Sequence, residues 1–130
     1  MVVGTHGSTF GGNPLAMAVG NGVMDLLLEP GLLEEVTAKG AYLQQALAAL
    51  VLKYPQQLGS VQGLGLMIGL VCKMPNTELM TRLRDNKLLV VTAGNNMIRL
   101  LPPLNISSHH LDQGLATIES VLQQIQAEAN

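Results

Sequence analysis

Apolar residues recur along this chain at helical spacing in three places. Leu15, Val19, Val23 and Leu26 predict a helix over 14–28. Asn13-Pro14 opens it, an N-cap followed by the residue best suited to the first helical position, and Glu29-Pro30-Gly31 stops it. Leu32, Val36, Leu43, Leu47 and Leu50 predict a longer helix over 32–53, with Glu34 and Glu35 at its start and Lys53 at its end, where they suit the helix dipole. The most regular stripe is Leu111, Leu115, Ile118, Leu122 and Ile125, in a last helix capped by Ser107 or Ser108.

Between these helices the pattern changes. Residues 61–72 (VQGLGLMIGLVC) read as one strand whose Gly63, Gly65 and Gly69 mark a bulge or a close backbone contact. Residues 78–85 predict a short helix with Leu79, Met80 and Leu83 inward and Asn76 as its N-cap. Residues 88–92 and 97–101 read as strands joined by a turn at Gly94-Asn95-Asn96, and Pro102-Pro103 ends the second. This order predicts one α+β domain over 1–130, a small mostly antiparallel sheet of about three strands covered by helices.

Composition narrows the function classes. Apolar residues make up 48% of the 130 residues and charged residues 12%, so the chain can bury a core. Aromatics are only 2%, and the core must be aliphatic. A formal charge of −2, with no basic stripe and no aromatic platform, gives no sign of nucleic-acid binding. Residues 15–28 are the most lipid-like stretch, but they are too few to span a bilayer and include Asn21 and Asp25. No secretory leader is evident, and the single Cys72, placed in a buried strand, fits a reducing cytoplasm.

Two places carry candidate chemistry. At the front, Ser8-Thr9 precedes Gly11-Gly12 and a helix start. Such a loop gathers free N–H groups and hydroxyls, the makings of a phosphate or carboxylate site. Read as residues only, the same loop is equally a capping turn, and it is neither a Walker A loop nor a dinucleotide fingerprint. The second place is Arg99, the one charge in Met97-Ile98-Arg99-Leu100-Leu101. It is either a strand arginine lying over apolar surface or a two-pronged grip for a carboxylate. His109 and His110 are adjacent and do not share a helix face, so they predict no metal site. No serine or cysteine triad is evident.

The run GTHGSTFGGNPLAMA resembles the segment that opens the last third of class III aminotransferases, which are fold type I enzymes dependent on pyridoxal 5'-phosphate. Asn96-Met97-Ile98-Arg99-Leu100-Leu101-Pro102-Pro103-Leu104 resembles their Arg-x-x-Pro-Pro-Leu segment, and residues 63–69 resemble their Gly-x-Gly-Leu-Met-x-Gly strand, which is structural. The resemblance implies that Thr9 hydrogen-bonds the cofactor's phosphate, reaching the partner subunit's cofactor in a homodimer. It implies that Ser8 lines an acylornithine site and that Arg99 binds the substrate α-carboxylate. His6 matches a family histidine and serves the loop backbone or the site. The implied substrates are N-acetylornithine and 2-oxoglutarate, in arginine biosynthesis. Other ω-amino substrates (succinylornithine, ornithine, 4-aminobutyrate) are the alternative, as is a non-catalytic dimerisation module that kept the fold.

No catalytic residue is assigned in this chain. The family's cofactor-linking lysine and its aspartate belong to segments upstream of anything present, and none of Lys39, Lys53, Lys73 and Lys87 lies in a matching segment. The expectation is therefore the C-terminal part of such an enzyme, inactive by itself. Its apolar first helix is expected to favour self-association.

Overall fold

A computed structural model describes residues 7–128. The chain forms two compact units, residues 1–33 and 34–130. The elements in order are α1 (Pro14–Leu27), α2 (Leu32–Lys53), β1 (Leu58–Leu64), β2 (Met67–Cys72), α3 (Asn76–Asp85), β3 (Val91–Ala93), β4 (Met97–Leu100) and α4 (Ser108–Glu128).

The first unit is dominated by α1. Asn13 caps it as its spacing predicts: Ala16 N donates to Asn13 Oδ1 at 2.9 Å, and Pro14 takes the first helical position. None of its residues is buried, and Leu15, Val19, Val23 and Leu26 are all exposed. The helix ends at Leu27, and Gly31 makes the following turn at φ +96°.

The second unit is a four-stranded sheet in the order β1-β2-β4-β3, antiparallel at every pairing. Residues on the sheet alternate in burial with period two. Ile68, Leu70, Cys72 and Ile98 face the helices and are buried, whereas Met67 and Arg99 are exposed on the other face. The core closes with Leu43, Leu47 and Leu50 of α2, Leu79 and Leu83 of α3, and Leu111, Ile118, Val121 and Leu122 of α4. Three of the five stripe residues of the last helix are thus buried, and Leu115 and Ile125 pack at the margin.

The α+β class and the antiparallel sheet are as expected; the strand count is not. Residues 61–72 are not one strand. The chain enters strand at Leu58, and Leu64 pairs with Met67, so Gly65-Leu66 is a two-residue hairpin turn. Gly65 has φ +55°, which suits the first central position of a tight hairpin turn. Gly40 of α2 lies against that turn, so close that a Cβ there would come within 2.6 Å of the Gly65 carbonyl oxygen. The hairpin tip is thus set into the helix, with Leu66 buried beside it.

Two other boundaries shift. α3 begins at Asn76, and Pro75 precedes it without a side-chain cap, so Asn76 is not an N-cap. The helix ends in a Schellman arrangement: Leu88 N donates to Leu83 O at 2.9 Å and Lys87 N to Arg84 O at 2.9 Å, with Lys87 left-handed at φ +66°. That exit delays the next strand, which starts at Val91 and not at 88.

Candidate functional site

The loop before α1 is braced internally. Gly11 N donates to Ser8 Oγ at 2.9 Å, and Asn13 Nδ2 donates to Phe10 O at 2.6 Å. A Cβ on Gly11 would stand 3.0 Å from that of Ser8, a tight contact, and Gly12 is left-handed at φ +78°. Ser8 spends its oxygen as an acceptor on this turn and keeps its hydroxyl hydrogen for another group. Thr9 is exposed, and among the described residues its hydroxyl has no hydrogen-bond partner. The loop therefore presents two hydroxyls at the start of a helix, where the dipole favours negative charge. His6 lies outside the described residues.

In the second unit Arg99 sits in the middle of the open sheet face. Its neighbours across the ladder are Gly69 on β2 and Val91 on β3. The guanidinium is exposed and has no ion-pair partner among the described residues. By register Met97, Val71 and Met67 share its sheet face, so the surface on its side of the sheet is largely apolar. Met97 leans over Gly69: a Cβ at Gly69 would meet its Sδ at 3.0 Å. An arginine so placed offers two parallel N–H donors to a carboxylate. An apolar cavity of about 280 Å³, bounded by Leu88, Leu100, Pro102, Pro103 and Leu111, is not lined by Arg99.

Among the remaining candidates, several are engaged structurally. Lys39 pairs with Glu35 at 2.9 Å, Lys53 pairs with Glu119, and Lys73 Nζ donates to Pro55 O at 2.6 Å. Burial pushes the Cys72 thiol above its ordinary range, which keeps it protonated and unreactive. Ser107 caps α4 through His110 N at 3.3 Å, and the His110 ring nitrogen Nδ1 lies 3.0 Å from the same oxygen. No cluster of metal-ligating side chains is present among the described residues, and no helix there is long and apolar enough to cross a membrane.

Reading the residues missed one feature near Arg99. Asn76 and Asn96 tie the β3–β4 turn to the exit of β2. Asn96 Nδ2 donates to Cys72 O at 2.7 Å and Met74 O at 2.8 Å, and Asn96 Oδ1 accepts from Asn76 N at 3.0 Å. Asn76 Nδ2 donates to Met97 O at 2.9 Å and Ala93 O at 3.3 Å. Asn95-Asn96 was legible as a turn, but nothing local pointed to bonds that span 17 to 24 residues.

A helix-covered antiparallel sheet with these loops is the architecture of the small domain of aminotransferases. The solved structures that match it bear this out. The acetylornithine aminotransferase of Elizabethkingia anophelis superposes with a TM-score of 0.81 at 31% identity, over 95% of this chain and 32% of that one. The ornithine δ-aminotransferase of Plasmodium falciparum gives 0.80 at 28% identity, over 95% of this chain and 33% of that one. Among sequences, the acetylornithine aminotransferase of Mesorhizobium japonicum is 50% identical over 120 residues, which is 92% of this chain and 30% of that relative. The family pattern described as Aminotransferase class-III matches residues 1–122. The chain belongs to the class III aminotransferase family, and it spans about a third of the length of the relatives it matches.

Proposed function

We propose that this chain is the C-terminal part of an acetylornithine aminotransferase. The parent enzyme moves the amino group of N-acetylornithine to 2-oxoglutarate, in arginine biosynthesis, in the cytoplasm and as a homodimer. The observation that carries the reading is the 50% identity to the Mesorhizobium relative. The geometry supports it, since Thr9 and Arg99 are exposed and have no partner among the described residues.

Pyridoxal 5'-phosphate supplies an electron sink for the substrate's α-carbon when bound. The loop fits its phosphate: Thr9 and Ser8 offer hydroxyl donors, and the glycines let backbone N–H groups approach. Arg99 holds the substrate carboxylate through two parallel bonds and so orients the carbon that reacts. Ser8 lines the acylornithine side. The amine that links the cofactor is supplied by the rest of the parent enzyme, since none of Lys39, Lys53, Lys73 and Lys87 lies in a segment that matches the family's lysine.

The likeness to an ornithine δ-aminotransferase favours a second reading, in which another ω-amino compound is the donor. The test uses the purified chain with pyridoxal phosphate, 2-oxoglutarate and each amine in turn. The expected result is no amino transfer and no new absorbance at the edge of the visible. A saturable new band abolished by substituting one of these lysines would overturn the assignment of the reacting amine to the missing part.

A further inference from the structure

We propose that Asn96 and Asn76 form a positioning pair for Arg99, an inference that rests on reading Arg99 as a carboxylate grip. β4 carries Arg99 between β2 and β3, and its partner β3 is only three residues long. The turn joining β3 to β4 holds Asn95 and Asn96 left-handed, at φ +57° and +54°. β3 gives β4 only three residues of pairing on this side, so the turn end of β4 depends on contacts from beyond the hairpin.

The asparagine side chains supply what is missing. Asn96 reaches Cys72 and Met74 on the far side of the turn, while its own carbonyl accepts from Cys72 N at 2.9 Å. Asn76, on the first residue of α3, reaches across to the carbonyls of Ala93 and Met97. Asn76, whose N–H is itself held by Asn96 Oδ1, thus fixes the peptide plane after Met97, and the backbone bond from Cys72 N fixes the one before it, two residues before Arg99. Since side chains alternate faces along a strand, those planes set the direction in which Arg99 leaves the sheet. A slip of one residue would turn it to the buried face that Ile98 occupies. The clasp also joins α3 to the strand, so the aim of Arg99 is referred to the core and not to an edge hairpin. Arg99 touches neither asparagine; the pair acts through the backbone.

Asn96→Gly separates the clasp from the turn, because glycine adopts the left-handed conformation freely and loses only the side-chain bonds. Asn95→Gly is the control, since Asn95 makes no side-chain bond with the described residues. The readout is nuclear magnetic resonance of the full chain, following the order parameter of the Arg99 backbone amide. Amide exchange at Ile68 and Leu70 reports whether the core stays folded. The expected result is a clear fall in the Arg99 order parameter in Asn96→Gly, with Ile68 and Leu70 protected and Asn95→Gly unchanged. An unchanged Arg99 in Asn96→Gly overturns the proposal, as does a fall matched by lost protection at Ile68 and Leu70.

A titration with 2-oxoglutarate at constant ionic strength is the second arm. The Arg99 Nε resonance is expected to shift saturably, at least threefold more weakly in Asn96→Gly, while that of exposed Arg84 serves as the reference. Equal affinity in the two proteins also overturns the proposal. No shift in the wild-type chain counts against the carboxylate reading, whereas the order parameter still decides the positioning.

Discussion

At the scale of single residues, the structure turns on contacts that hydrophobic patterning does not encode. Gly40 is the plainest. It sits in the middle of α2, where glycine weakens a helix relative to alanine, yet a Cβ there would drive into the backbone of Gly65. Gly40→Ala is therefore expected to destabilise the fold by about 1–3 kcal/mol despite its better helix propensity, as measured by urea unfolding. A gain in stability would mean that the hairpin tip does not rest on the helix. Asn76 shows the same limit of legibility. Its position before a helical run suggested a cap, but its side chain serves carbonyls of β3 and β4, distant in sequence. Thr9 and Arg99 were singled out by resemblance to family motifs. Their residue types in isolation fit a turn and a snorkelling strand arginine equally well.

Among the elements, the helices were the most legible because their stripes repeat over several turns, and α2 runs Leu32–Lys53 as its periodicity predicts. The hairpin of β1 and β2 was hidden because its turn, Gly65-Leu66, lies inside a nearly continuous apolar run and lacks the usual Asn-Gly signal. The pairing of helices has an electrostatic part that sequence spacing shows only locally. Arg82 pairs with Glu78 one turn away at 3.1 Å, and also with Glu128 of α4 at 2.8 Å. The hydrogen bond from Arg82 holds the Glu128 carboxyl below its usual value of 4.5. A lowered folded-state pKa means stability that is present above pH 4.5 and is lost as pH falls through the folded value. Glu128→Gln is accordingly expected to unfold more readily than wild type at pH 7, with the difference closing as the pH drops below 4.5. A difference that persists in acid would show that the pair contributes through packing and not charge.

For the whole molecule, one unit carries the hydroxyl loop and an apolar helix, and the other carries Arg99 on an open sheet face. Both present groups without partners among the described residues, and the relatives are about three times as long. The α+β class was legible from the order of helical and strand patterns, whereas the expectation of further polypeptide came only from the resemblance. The most direct measurement is a chimera in which these residues replace the matching stretch of the Mesorhizobium japonicum acetylornithine aminotransferase. Amino transfer from N-acetylornithine to 2-oxoglutarate is then assayed with Thr9→Val and Arg99→Lys beside the parent chimera. The account expects an active chimera, weaker cofactor retention in Thr9→Val, and a KM raised about tenfold or more in Arg99→Lys, from loss of the two-pronged bond. A folded but inactive chimera, or an active one indifferent to both substitutions, would contradict it.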